Sequence, residues 1–114
     1  MTTPDLAAGV VAWAAREPVR GREQGGHRPV LIVASAGYLD AVTTLVIVLP
    51  ITTTDCGWPN RVRLEGPSGL DRPSWVVTEQ PRTLSRVRLT RVAGEESIDC
   101  LAAVRIWLGD FLDL

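Results

Sequence analysis

The feature that most constrains this chain is a succession of short, β-rich apolar runs, each cut off by glycine, proline or charge. Val10-Val11-Ala12-Trp13 is the first. Val30 to Ala34 is the second; it is apolar throughout, as a central strand covered on both faces must be. Thr43 to Ile51 is the third and is rich in β-branched residues. Pro50 should end its ladder, because proline has no N–H to donate. Arg61-Val62-Arg63-Leu64 alternates polar and apolar, the pattern of a half-buried strand. Ser74 to Thr78 reads as a strand. Leu84 to Val92 alternates again, with Arg86, Arg88 and Thr90 on one face and Val87, Leu89 and Arg91 on the other, until Gly94 breaks it. Polar loops or turns at 16–27, 35–41, 55–60 and 66–73 separate these runs.

One segment has helical spacing. In residues 97–112, Leu101, Val104, Leu108 and Phe111 share a face, and Ser97 is placed to cap the N-terminus. Glu95, Glu96 and Asp99 put negative charge near the positive end of the helix dipole. Short strands followed by one terminal helix predict a mainly β fold: a small closed barrel with a C-terminal helix packed on it. The 114 residues form one predicted domain, 1–114, with 1–8 as a loose leader. A domain of this size often gains from dimerisation. No apolar run reaches the roughly 20 residues of a membrane span, and residues 1–6 lack a signal-peptide core, so a cytoplasmic location is expected.

Net charge is −1, yet the charge is unevenly distributed. All 12 basic residues are Arg. Residues 1–94 hold 11 Arg against 8 acids, a balance of +3. Residues 95–114 hold Arg105 against five acids, a balance of −4. An acidic surface helix explains this simply, and composition alone favours that reading. An Arg-bearing body facing phosphate is the functional reading. Cys56 and Cys100 lack metal-type spacing and are expected as free thiols.

Several chemistries are excluded. His27 is the lone histidine, so no two-histidine ribonuclease is possible. The chain has no lysine, hence no phosphate loop of the Lys type, and no acidic cluster for two metals. Phosphodiester cleavage would have to use Arg, Glu, Thr and His27, without metal or cofactor. RNA permits this, because its own 2′-OH can attack the adjacent phosphorus.

Three motifs place polar groups beside apolar strands. They are Gly21-Arg22-Glu23-Gln24-Gly25-Gly26-His27-Arg28-Pro29, Pro50-Ile51-Thr52-Thr53-Thr54 and Glu79-Gln80-Pro81-Arg82-Thr83. Arg28, followed by Pro29 at a strand start, can present a bidentate fork to phosphate. The residues fit equally an Arg that pairs with Glu17 or Glu23 to hold the loop. Thr52 and Thr53 can donate hydroxyl protons at the barrel rim, although strand propensity alone accounts for them. Glu23 can accept a 2′-OH proton if Arg28 lies beside it. Arg82 can contact a second phosphate or stand as a surface Arg at a strand start. Alternation should turn His27 away from Arg28, leaving it as an RNA-contact candidate. Trp58, in a loop, can stack on an unpaired base; packing under the loop is the default. Trp13, Trp75 and Trp107 read as core or dimer packing.

Together these motifs resemble the MazF/PemK toxins, small ribonucleases of type II toxin–antitoxin pairs, over nearly the whole chain from about Gly9. The resemblance implies an SH3-like barrel, as in the MazF/PemK/CcdB-type toxins, and a homodimer. It implies a metal-independent, sequence-selective endoribonuclease, an mRNA interferase, leaving 2′,3′-cyclic phosphate and 5′-OH ends on single-stranded RNA. That RNA would be mRNA, with rRNA or tRNA as further candidates. By the family's motifs Arg28 and Thr52 are catalytic, with Thr53 the fallback, and Glu23-Gln24 match the usual loop pair. Glu79 stands where PemK/Kid-type toxins have an Asp proposed as base or acid. Gln80 could then bind a base or the active-site loop. The expected partner is a MazE-like antitoxin with an acidic, largely disordered segment. The alternative is a non-catalytic barrel binding RNA or a protein; a CcdB-like gyrase binder is disfavoured, because that group lacks the Arg-Pro-Val and Pro-x-Thr-Thr pattern.

Overall fold

The computed structural model describes residues 5–15 and 26–114. Its strands are β1 (Val10–Ala15), β2 (His27–Ile32), β3 (Leu45–Thr52), β4 (Arg61–Arg63), β5 (Trp75–Val77), β6 (Arg82–Ser85) and β7 (Leu89–Glu95). Two helices join them, α1 (Ala36–Ala41) and α2 (Ile98–Leu112). The strand order is β4-β5-β3-β2-β1-β7, and β6 also pairs with β3; every pairing is antiparallel.

The both-face apolar pattern of the central strands has a direct cause: each face has its own core. Ala12, Ala14, Val30, Ile32, Val46 and Val48 point to one side, where they meet Leu39 of α1, Leu84 of β6 and Leu89 of β7. Val11, Leu31, Leu49 and Ile51 point to the other side, against Val76 and against Val104 of α2. Full burial of a Val, Leu or Ile side chain contributes roughly 1.5–3 kcal/mol, so these two layers dominate the stability.

The sheet curls around the first core, giving the mainly antiparallel β fold with a C-terminal helix that the sequence predicts. β6 and β7 lie at opposite ends of the row β6-β3-β2-β1-β7. They are joined by a single 3₁₀ turn, Arg86–Arg88, and both contribute to the first core. Among the described residues no ladder joins them. The predicted single strand Leu84–Val92 is therefore two strands and a turn, and Val87, at its tip, is 87% exposed.

Other expectations are corrected similarly. The predicted turn 35–41 is a capped helix: Ser35 Oγ accepts the Tyr38 N–H at 3.1 Å. The far end of α1 is held by the Arg86 guanidinium, which donates to the carbonyls of Leu39 and Val42 and, 2.9 Å away, to that of Leu45. Gly94 does not end a strand but sits inside β7, where the 67–68 backbone crosses it. Trp13, Trp75 and Trp107 are half-buried and belong to neither core. Arg91 and Arg63 guanidinium carbons lie 5.2 and 5.9 Å from the ring centres of Trp13 and Trp75.

The terminal helix is capped as expected, with Ser97 Oγ accepting the Cys100 N–H at 3.1 Å. Val104 is its fully buried contact, Leu101 and Leu108 are half-buried, and Phe111 is exposed. Glu96, expected as surface charge, is buried, and its Oε1 accepts the N–H groups of Glu65 and Gly66, both at 2.8 Å. Burial, and then the Glu96 carboxylate, push the Cys100 thiol up to about 12, so it is inert as a nucleophile. Cys56 and Cys100 are both free. Among the described residues no helix is long and apolar enough to cross a membrane.

Candidate active site

The site arises where two paired strands part. β2 and β3 are registered through Val30 and Pro50. Beyond that pair β2 keeps only its ladder with β1, while β3 pairs with β5. His27, Arg28 and Pro29 pair with Ala15, Ala14 and Trp13 of β1. Ile51 and Thr52 pair with Val76 and Trp75 of β5. Pro50 is the last residue of β3 registered with β2, as its missing N–H predicts, and β3 continues to Thr52 with β5 as its partner. The parting opens a cleft of about 1090 Å³.

The cleft is the mouth of the first core. Ala14, Val30, Val48 and Leu84 form its floor. Strand periodicity carries the same inward phase two residues further, to Arg28 from Val30, to Thr52 from Pro50 and to Arg82 from Leu84. All three line the cleft, with His27, Thr53, Thr54, Gln80, Arg61 and Arg88. No carboxylate is among the described lining residues, so Arg28, Arg82 and Arg88 set a positive field over an apolar floor, while the Arg61 charge is balanced by Glu79 behind the lining. Among the described residues Arg28 forms no ion pair. Glu17, Glu23 and Gln24 lie outside the described residues.

Local hydrogen bonds fix several of these groups. Thr52 Oγ1 accepts the Thr54 N–H at 3.1 Å, which orients the hydroxyl and leaves its proton free to be donated. Arg88 Nε donates to the Ala15 carbonyl at 2.9 Å, tying the guanidinium to the end of β1. Gln80 Oε1 lies 3.5 Å from Arg82 Nη2. His27 opens β2 and borders the cleft beside Arg28.

Glu79 is placed differently. It is not a lining residue. Its carboxylate is bonded to Arg61, with Nη2 to Oε2 at 2.6 Å, and accepts Asn60 Nδ2 at 2.7 Å. The Arg61 hydrogen bond holds Glu79 below the usual carboxylate range and raises Arg61. Their mutual stabilisation is therefore present at neutral pH and is lost as pH falls through the depressed Glu79 value. Trp58 is 54% exposed, against the expectation that it packs under its loop, and lies 5.1 Å from the Arg61 guanidinium carbon.

Sequence reasoning missed Arg61 and Arg88 as cleft residues. Both fall in alternating stretches that read as ordinary strand. For Arg82 a usable signal was present: it stands at the inward phase of a strand whose next inward residue, Leu84, is core.

The fold and site define a small antiparallel β protein whose curled sheet carries an Arg- and Thr-lined anionic-ligand cleft at its mouth. Comparison with known proteins agrees. Residues 7–112 match the PemK-like, MazF-like toxins of type II toxin–antitoxin systems, and the chain belongs to that family. It is 34% identical over 84 residues to the endoribonuclease EndoA of Bacillus subtilis, covering 72% of each chain. It is 30% identical over 82 residues to the endoribonuclease toxin MazF of Escherichia coli, covering 72% of this chain and 68% of that one. The MazF of a Deinococcus radiodurans MazE–MazF crystal structure superposes with a TM-score of 0.82 at 34% identity, over 100% of this chain and 99% of that one.

Proposed function

We propose that this endoribonuclease of the MazF/PemK toxin family cleaves single-stranded RNA at selected sequences without a metal ion. The substrate's own 2′-OH attacks phosphorus, leaving a 2′,3′-cyclic phosphate and a 5′-OH. The observation that carries this reading is the placement of Arg28 and Thr52 on the two strands that part to open the cleft. Arg28 neutralises the phosphorane oxygens, and the Thr52 hydroxyl donates to one of them. Arg82 and Arg88 hold flanking phosphates. Glu23 takes the 2′-OH proton, since Glu79 is engaged by Arg61, and the P–O5′ bond breaks as the leaving 5′-oxygen takes a proton from water to give the 5′-OH. Gln24, His27, Thr53, Trp58 and Gln80 contact the RNA, whose unstacked bases offer edges and faces.

The protein acts in its producer's cytoplasm as a homodimer, with RNA along a groove at the interface. A MazE-like antitoxin inhibits it by laying an acidic, disordered segment across that groove, mimicking the phosphate track. The MazE–MazF complex of the D. radiodurans relative supports such a partner.

Cleavage of single-stranded RNA in excess EDTA tests the metal-free mechanism. Undiminished cleavage is the expected outcome. Abolition by EDTA, with recovery on adding Mg²⁺, would overturn it.

A further inference from the structure

We propose that Glu79 is a positioning residue of the RNA site: it acts through Arg61, holding that guanidinium beside Trp58 to form a bracket that stacks on a nucleobase next to the cleft. The proposal deepens the ribonuclease reading above and rests on it.

The geometry separates Glu79 from the reacting centre. Arg61 lines the cleft, whereas Glu79 does not. Both carboxylate oxygens are occupied. Oε1 accepts Asn60 Nδ2 at 2.7 Å and Arg61 Nε at 3.2 Å; Oε2 accepts Arg61 Nε at 3.2 Å and Nη2 at 2.6 Å. A carboxylate engaged in this way and held ionised is poorly suited to shuttle a proton near neutral pH.

The anchor behind Glu79 is rigid. Asn60 Nδ2 also donates to Thr78 Oγ1 at 3.1 Å, and Thr78 Oγ1 donates back to the Asn60 carbonyl at 2.8 Å. Asn60 and Thr78 are both buried. Arg61 sits opposite Val77 in the β4–β5 ladder, and its N–H donates to the Trp58 carbonyl at 3.1 Å. The Arg61 side chain is therefore only 13% exposed, while the Trp58 beside it is 54% exposed.

The pair is half-buried and tightly defined by three hydrogen bonds between the two groups. It fixes a planar guanidinium against an exposed indole. Guanidinium and aromatic planes are the surfaces on which unpaired RNA bases stack, and stacking tolerates any base. Fixing both planes beforehand reduces the ordering cost of binding.

The test is steady-state kinetics on an RNA oligonucleotide carrying a mapped cleavage site. Binding is read separately, by anisotropy, on the same oligonucleotide made uncleavable by 2′-deoxyribose at the cut. Glu79→Gln, Arg61→Ala and Trp58→Ala should each raise KM and Kd about tenfold, with kcat lowered less than about threefold. Trp58→Phe, which keeps a stacking face, should restore both constants. The double variant Glu79→Gln/Arg61→Ala should be no worse than Arg61→Ala alone, because the two act in series. The acid limb of the kcat–pH profile should survive Glu79→Gln. The proposal is overturned if Glu79→Gln lowers kcat by about 100-fold or more and removes that limb, as loss of a general acid or base would. It is also overturned if Arg61→Ala and Trp58→Ala bind with the wild-type Kd. If Glu79→Gln loses its cooperative melt, those two variants decide the matter alone. Wild-type protein that binds and cleaves no RNA would instead sink the ribonuclease reading itself.

Discussion

Arg28→Ala should lower RNA cleavage by about two orders of magnitude or more while the protein stays folded. Loss of a preorganised charge partner of the transition state typically costs ~10²–10³ in rate. Arg28 is exposed at the start of β2 and contributes to neither core, so its removal leaves the packing intact. A surface change of that kind moves stability by only ~0.5 kcal/mol. Arg28→Lys should recover little, because a point charge lacks the planar fork. Thr52→Ala should be impaired more mildly. Single-turnover rates on one oligonucleotide, with melting curves for each variant, check this. A folded Arg28→Ala protein with a rate within threefold of wild type would remove Arg28 from the mechanism.

Gly94→Ala should be strongly destabilising. Gly94 lies in β7 directly against the 67–68 backbone. An added Cβ would meet the Pro67 carbonyl oxygen and the Ser68 carbonyl carbon and oxygen, the latter two at 2.5 and 2.7 Å. These are backbone atoms, which cannot swing aside as a side chain can. Gly69, on the opposing segment, is equally confined by Ala93 and has φ +78°, which disfavours any side chain. Overpacking typically costs about 1–3 kcal/mol, and a backbone clash belongs at or above the top of that range. At ~4 °C or more per kcal/mol the melting midpoint should fall by roughly 10 °C or more. Gly109→Ala in α2 is the matching control. Nothing lies within 4 Å of its added Cβ, and helix propensity should raise stability by up to about 1 kcal/mol. Equal, small effects of the two substitutions would contradict the crossing.

How much of this was legible in the sequence depended on whether the cause was local. The central strands showed themselves because both faces are covered and both are apolar. The terminal helix carried its own cap in Ser97. Helix α1 was hidden, because Gly37 and Asp40 read as a turn and part of what holds its end, Arg86, lies 47 positions from Leu39. The break between β6 and β7 was hidden because one 3₁₀ turn scarcely disturbs an alternating pattern. Gly94 was noticed for the wrong reason: the sequence shows a glycine but not the backbone that crosses it. In the site, Arg28, Thr52 and Arg82 were found through motifs beside strands, and strand phase explains why they converge. Arg61 and its pairing with Glu79 were not found, since a contact spanning 18 positions leaves no local signature.

The central claim is that the substrate's own hydroxyl is the nucleophile and that the cleft around Arg28 only positions and neutralises. It is tested most directly by a pair of oligonucleotides identical except for 2′-deoxyribose at the nucleotide whose 2′-OH would attack. The all-ribose strand should be cut to a 2′,3′-cyclic phosphate and a 5′-OH, identified by mass. The substituted strand should bind with similar affinity and remain intact. Cleavage of the substituted strand at a comparable rate, or a 5′-phosphate on the product, would contradict the account.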